Sequence, residues 1–373
     1  MPAALTWPQV LAWRMRQQLL DPIGRSSVPV VVGRLCGVQA QVASSAELAV
    51  RVRRASSRSG DVARALSDGK IIKTWAMRGT LHLLTPKDAS AVLSLMASGR
   101  GWELPSWERY FGMSARHWDL LRPAAREALH GKTLTREELI EAIVAQRGLG
   151  HLGDALRSGW GTLLKPLAWQ GDLCFGPSRG NRVTFVRPEA ASPLWKGVLE
   201  PDEAGPLVIV AYLRAYGPAT ITNFRNWLSR GRVSARKIRG WFDSLGDRLA
   251  EIDVEGDRRY VLADDLDEVA SARPTTAVRL LPGFDQYVLG PGTEDPHVIS
   301  PKRRTAVSKQ SGWIAPIVVS GGVVKGTWGV DGEDLRVSWF KEMGKPPRAR
   351  IDAEVELMST ILGRALRSQI VLS

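Results

Sequence analysis

The sequence predicts an α+β chain in which a helical cluster closes on a two-stranded hairpin three times in succession, ahead of a β-rich C-terminal region. Three observations carry this. Apolar periodicity switches from helical to alternating near Ile71, Asp172 and Leu249. Turn-forming residues separate the alternating runs, at Arg78-Gly79, Pro177-Ser178-Arg179-Gly180-Asn181 and Glu255-Gly256-Asp257. The pattern also recurs at a spacing of roughly a hundred residues, with little identity between copies, so the repeat is one of architecture.

Taken in order, Thr6 to Leu20 reads as an amphipathic helix, with Thr6 as cap and Pro8 in its first turn, stopped by Asp21-Pro22. Pro29 to Cys36 is a second, short helix. Ser44-Ser45-Ala46-Glu47 is a helix-start signature, a serine able to cap with glutamate three positions on, and predicts a helix over Ser45 to Ser57. Gly60 to Asp68 follows. Ile71–Met77 and Thr80–Leu84 are strands around Arg78-Gly79, the second stopped by Thr85-Pro86.

Helices are next expected at Ala115–Leu129, at Thr135 to Arg147 behind a capping box, and at Gly153–Gln170 with an interruption at Pro166. Their hairpin is Asp172–Gly176 with Arg182–Val186. The third copy has helices at Leu207–Tyr216, Ala219–Leu228 and Ser234–Ser244, and a hairpin of Leu249–Val254 with Arg259–Leu262. Helices followed by a hairpin make a winged-helix pattern. Beyond Thr275, Val278–Leu281, Ile314–Val319, Val323–Trp328 and Leu335–Trp339 are strand candidates, and Ala353–Gln369 is a closing helix. The domain reading is therefore a winged helix over 1–100, a second over 101–195, a third over 196–274, and a β-rich domain over 275–373.

The composition is that of an ordinary globular protein, 44% hydrophobic and 24% charged over 373 residues. No run approaches the roughly eighteen apolar residues of a membrane span, and the start lacks a signal peptide's pattern. Two cysteines, Cys36 and Cys174, indicate neither a disulfide framework nor a zinc site. A reducing cytoplasm fits. The loudest signal is charge: 51 Lys and Arg against 38 Asp and Glu, a net +13. Arg outnumbers Lys, and guanidinium groups suit bidentate phosphate contact, so nucleic acid is the expected partner. The competing explanation is a GC-rich genome, which inflates both Arg and Ala.

Gly37-Val38-Gln39-Ala40-Gln41-Val42 is the candidate centre of chemistry. Two neutral amides, Gln39 and Gln41, lie in the turn leading into a helix that carries Arg51, Arg53, Arg54 and Arg58. In an extended or turn segment residues two apart can face the same way. Such a pair could hold water or a polar ligand against a polyanion; ordinary solvated surface is the bland alternative. The loop from Asp295 to Gly312 holds Lys302, Arg303, Arg304 and Lys309 and is either disordered or a contact loop, with contact preferred. Trp75 and Trp328 are expected in the core, and His117, His130, His151 and His297 form no cluster.

Three segments, Val38–Gln41, Thr74-Trp75-Ala76-Met77-Arg78-Gly79-Thr80-Leu81-His82-Leu83 and Leu281-Pro282-Gly283-Phe284-Asp285-Gln286-Tyr287-Val288-Leu289-Gly290, occur in this order. With them the chain resembles the bacterial tandem winged-helix DNA glycosylases, the YcaQ-like proteins, over essentially its whole length. The Gln-Ala-Gln form is similar to the azinomycin-resistance branch of that family. The resemblance implies three winged helices and a C-terminal β domain shaped around a concave DNA-binding face. It implies a monofunctional DNA glycosylase that excises bulky N7-alkylguanines and unhooks interstrand crosslinks, with Gln39 and Gln41 as the catalytic pair. Within that reading Arg51, Arg54, Arg236 and Lys237 are phosphate contacts, and Lys302, Arg303, Arg304 and Lys309 grip the DNA at the lesion. His82 either faces DNA or completes a packed hairpin. Asp285 either supports the site or is a structural carboxylate. No metal and no cofactor are expected. The partner is double-stranded DNA with alkylated purines or crosslinks, and the enzyme is a monomer of the cytoplasmic nucleoid.

The chemistry is compatible with amides. An N7-alkylated guanine is already cationic, so it leaves without a general acid. The barrier lies in forming an oxocarbenium-like sugar and bringing water to C1′, and amide carbonyls can do both tasks. A carboxylate would be a stronger base, worth typically a hundred-fold or more, so its absence suits labile substrates only. No lysine lies in the Gln turn to form a Schiff base. The rival classes are a winged-helix transcriptional regulator and a non-catalytic lesion-binding protein.

Overall fold

Mixed helix and sheet is what the chain forms. The computed structural model describes residues 5–158 and 161–373, and they divide into two compact units, neither continuous in sequence. Of the described residues, one holds 5–62, 209–227 and 243–373; the other holds 63–158, 161–208 and 228–242.

The core of the first unit is a five-stranded sheet ordered Arg367–Leu372, Asp334–Trp339, Val323–Asp331, Ile317–Ser320, Val278–Leu281. Neighbours are antiparallel, in registers such as Trp328↔Val337 and Ile317↔Leu281, except the outermost pair, which runs parallel with Asp334↔Arg367. Gly321-Gly322, both at positive φ, make the tight turn between two of the strands. Val355, Met358 and Ile361 of the Arg348–Leu362 helix join the sheet's Leu280, Ile317, Leu335 and Val337 in one cluster, with Leu11, Met15 and Leu20 of the N-terminal segment. The Trp7–Gln17 helix begins at the expected cap, Thr6, whose N–H and hydroxyl both donate to Gln9 Oε1. Arg14, 1% exposed, lies within it, and binds Asp295 at 3.2 Å and the carbonyls of Gly217 and Pro218. The hairpin Leu249–Val254 with Asp257–Leu262 also belongs here, its turn made by Glu255 (φ 52°) and Gly256 (φ 93°).

In the second unit the strands Leu81–Leu84, Ile72–Trp75, Cys174–Phe175, Thr184–Val186 and Leu134–Thr135 lie side by side in that order. Trp75 packs edge-on against Phe175 with centroids 4.6 Å apart. Thr135 and Glu138 form the capping box read from the sequence, and Arg136–Val144 follows it. The Ala235–Asp243 helix buries Ile238, Trp241 and Phe242 and leaves its basic face outside.

Several expectations are corrected. The closing helix ends at Leu362 because Gly363 adopts the left-handed C-cap (φ 68°), and Arg367–Leu372 becomes a strand. The Pro86–Ala97 helix, capped by Thr85, is an addition to the sequence reading: it is buried on nearly all sides, Ser90 and Ser94 included, so its residues carry no clear apolar stripe. The expected Gly153–Gln170 helix is two pieces, Gly153–Arg157 and Leu164–Trp169, with 159–160 lying outside the described residues. The cationic segment is ordered: Val298, Ile299 and Val307 are buried and hold it down. His117 and His151 do meet, with ring centroids 4.8 Å apart. Trp75 is buried and Trp328 half-buried, its indole N–H donating to Leu281 O at 2.8 Å. Among the described residues no helix is long and apolar enough to cross a membrane.

Candidate active site

The glutamine segment is set by the end of the helix before it. Val28–Arg34 stops where Cys36 (φ 47°) and Gly37 (φ 99°) turn left-handed in succession, and their N–H groups bond back to Gly33 O and Val32 O. At φ 99° position 37 favours glycine. The chain leaves this turn extended, as the short strand Val38–Gln39. Gln39 is 6% exposed, Ala40 is buried, and Gln41 is exposed. The two amides thus sit at the same end of one helix but differ in access to solvent.

That helix is Ala43–Arg51, two residues earlier than expected, with extended Val42 as its N-cap. The Ser44–Glu47 capping box is not used. Glu47 instead accepts the Gly60 N–H at 3.2 Å. Val42 and Leu48 pack on the sheet core, and beyond the helix Arg53 fixes its far end. The Arg53 guanidinium has no exposure and makes a bidentate pair with Asp285, at 2.8 and 2.7 Å, while also donating to Gln18 O and Ala49 O. Asp285 additionally caps the Gln286–Leu289 helix by accepting the Tyr287 N–H at 2.8 Å. The third of the segments that carried the resemblance is thereby tied to the residues just beyond the helix that follows the first. Gly283 approaches so closely that a Cβ there would sit 3.8 Å from Ser45 Oγ and 2.8 Å from Ile314 O. Phe284 next to it is held at φ 62°, a conformation uncommon for a bulky residue.

The expected cations divide by what already holds them. Arg54 binds Asp61 at 2.6 Å and Ser26 O at 2.8 Å, an internal brace. Arg51 reaches Ser57 Oγ at 3.4 Å. Arg303 pairs bidentately with Glu342 at 2.7 Å and lies over the Phe340 ring at 4.6 Å, and its hydrogen bond holds the Glu342 carboxyl down to about 2. Arg304 pairs with Glu294 at 2.9 Å. Lys302 and Lys309 are exposed. Arg236 is exposed; Lys237, also exposed, donates to Ser98 O at 3.0 Å.

His82 has no exposure. Its Nδ1 lies 3.0 Å from Thr80 O, and its Nε2 is buried without a hydrogen-bond partner. Burial, then the Arg78 charge, push its imidazole down to about 3, so it is neutral. The imidazole is packed within its hairpin. Asp285 is buried, and its pair with Arg53 braces the helix that follows the glutamines. Trp313 was not singled out in the sequence. It is 49% exposed and packs edge-on against Phe284 with centroids 4.9 Å apart. The signal that could have found it is a lone Gly312-Trp313 closing a cationic loop. No group of three or more His, Cys, Asp or Glu among the described residues could hold a metal ion.

The model of the family described as DNA glycosylase AlkZ-like matches residues 32–361. An interstrand DNA cross-link repair glycosylase from Streptomyces sahachiroi is 49% identical over 350 residues, 94% of each chain. The solved structure of the Streptomyces sahachiroi DNA glycosylase AlkZ superposes with a TM-score of 0.96 at 47% identity, covering 99% of this chain and 100% of that one.

Proposed function

The chain belongs to the AlkZ-like DNA glycosylases, enzymes that hydrolyse N-glycosyl bonds, and from that premise we propose that it excises bulky N7-alkylguanines and unhooks interstrand crosslinks in double-stranded DNA. The observation that carries this is the near full-length identity to a cross-link repair glycosylase. The biological setting is self-resistance to an azinomycin-type alkylating agent. The scaffold is three winged helices over 1–100, 101–195 and 196–274 and a β-rich domain over 275–373, presenting a concave DNA-binding face and acting as a monomer at the nucleoid.

Gln39 and Gln41 position the hydrolytic water. Buried Gln39 forms the sheltered side and exposed Gln41 the open side, so the carbonyl oxygens meet C1′ where positive charge develops. The leaving base is already cationic and needs no proton, which is why two neutral amides suffice and unmodified purines are left alone. A crosslinked base is tied to the opposite strand and cannot swing into a closed pocket. An open site is required. Lys302, Lys309, Arg51, Arg236 and Lys237 supply phosphate contacts; Arg303, Arg304 and Arg54 shape the surface through their carboxylate partners.

The test is single-turnover excision of N7-methylguanine from a defined duplex, read by alkaline cleavage of the abasic product. Gln39→Ala with Gln41→Ala should lower the rate by at least about a hundred-fold, the scale of a lost group that activates or positions the nucleophile. A double variant that cuts at the parent rate removes the assignment.

A further inference from the structure

Trp313 is a large aromatic at half exposure, next to the candidate site, on a loop built to hold it there. Ser308 and Ile314 bridge across the loop's base, Lys309 N donates to Trp313 O at 2.8 Å, and Ala315 N donates to Val307 O at 2.9 Å. Val307 and Ile314 anchor it, at 0% and 4% exposure. At its tip Ser311 (φ 59°) and Gly312 (φ 75°) both turn left-handed, so the indole is held outward by constrained backbone. Beneath it, the Phe284 ring supports the indole edge-on, and Phe284 is itself held at positive φ.

The position matters as much as the rigidity. A Cβ added at Gly283 would sit 2.8 Å from Ile314 O and 3.8 Å from the Oγ of Ser45, which is in the first turn of the helix entered through Gln41. The loop tip, the Phe284 turn and the glutamine segment thus share one neighbourhood in the same unit. Lys309 is hydrogen-bonded to Trp313 through its backbone, and it and Lys302 on the same segment are exposed cations that attract a phosphate backbone. A rigid aromatic face on a segment with exposed cations is the combination that binds an unstacked nucleic-acid base.

We propose that Trp313 is a base-stacking residue, taking the face of a DNA base exposed where the duplex is opened at the lesion. This rests on the glycosylase reading above. It adds a substrate contact outside the Gln39–Gln41 pair and outside the cationic loop side chains.

The experiment compares the parent with Trp313→Phe and Trp313→Leu. Phe keeps an aromatic face over Phe284; Leu keeps apolar cover without one. Affinity is measured by fluorescence anisotropy for an intact duplex and for the same duplex with a tetrahydrofuran abasic analogue, which leaves a base unpaired. The parent should prefer the abasic duplex. Trp313→Leu should lose that preference by about five- to a hundred-fold, the range for one aromatic–base stack, and bind intact duplex as the parent does. Trp313→Phe should retain most of it. Equal loss on both duplexes, or an unchanged preference in Trp313→Leu, overturns the proposal. Melting curves identify any variant whose fold is disturbed, and for it the Phe variant decides. Excision of N7-methylguanine by the parent is scored separately, so failure of the activity and failure of the stacking contact are told apart.

Discussion

Replacing Asp285 with alanine should be among the most damaging single changes outside the glutamines, and the structure says by how much. The Asp285 carboxylate accepts two N–H groups from Arg53, at 2.7 and 2.8 Å, and the Tyr287 N–H at 2.8 Å. Neither side chain of the pair has any exposure. Without the carboxylate, the guanidinium keeps only the Gln18 and Ala49 carbonyls and its charge stays buried. Breaking a buried pair from one side costs about 3–5 kcal/mol. At the lower end of about 2–4 °C per kcal/mol for a large domain, that is a drop of roughly 6–10 °C in melting temperature. The assay is urea unfolding of Asp285→Ala, Arg53→Met and the double variant. The double variant removes both charges and should cost less than the sum of the singles, by about 0.5–3 kcal/mol, the usual range for contacting pairs. A single-variant cost below about 1 kcal/mol, or a strictly additive cycle, refutes the claim that this pair clamps the helix behind Gln41.

Other outcomes follow from particular contacts. His82 titrates far below its ordinary value near 6.5, so its neutral form contributes fully above that pH, and the contribution falls away as pH drops toward 3. Between pH 7 and 5 the loss should be about 2 kcal/mol. His82→Leu should flatten the urea-midpoint profile by that amount, and an unchanged profile counts against a neutral, buried imidazole. Gly290→Ala should destabilise by about 1–3 kcal/mol or more, because the added carbon would sit 2.1 Å from the Tyr216 ring, itself tied to Leu35 O by its hydroxyl. A parent-like denaturation midpoint would show the ring yields. Lys302→Gln should reduce the salt slope of DNA affinity by about 0.9, the value of one phosphate contact, and Arg303→Gln by less, because Glu342 already neutralises Arg303. A larger effect at Arg303 reverses that ranking.

What was legible in the sequence was local. The capping box at Thr135, the hairpin around Glu255-Gly256 and the strand Val278–Leu281 depend on neighbours in sequence, and the structure has them where the residues indicate. What was illegible was chosen by distant partners. Arg53 reads as one of a row of surface arginines until Asp285, far along the chain, takes it inside. Arg54 is drawn in by Ser26 O in the same way, and Arg303 by Glu342. The Ser44–Glu47 box competed with the extended entry from Gly37 and lost. Arg367–Leu372 became a strand because an open sheet edge was beside it. The glutamine segment itself was readable as a turn into a helix, whereas the unequal exposure of Gln39 and Gln41 comes from tertiary packing.

The first unit is stitched from three separate stretches of chain, and this has a consequence for biosynthesis. Leu5 bridges to Val254, Arg14 needs Asp295, and Arg53 needs Asp285. A nascent polypeptide leaving the ribosome therefore carries Leu5, Arg14 and Arg53 for more than half its length before their mates exist. Synthesis order and assembly order run opposite ways here, and the intervening unit, whose contacts are nearer in sequence, is the one free to form first.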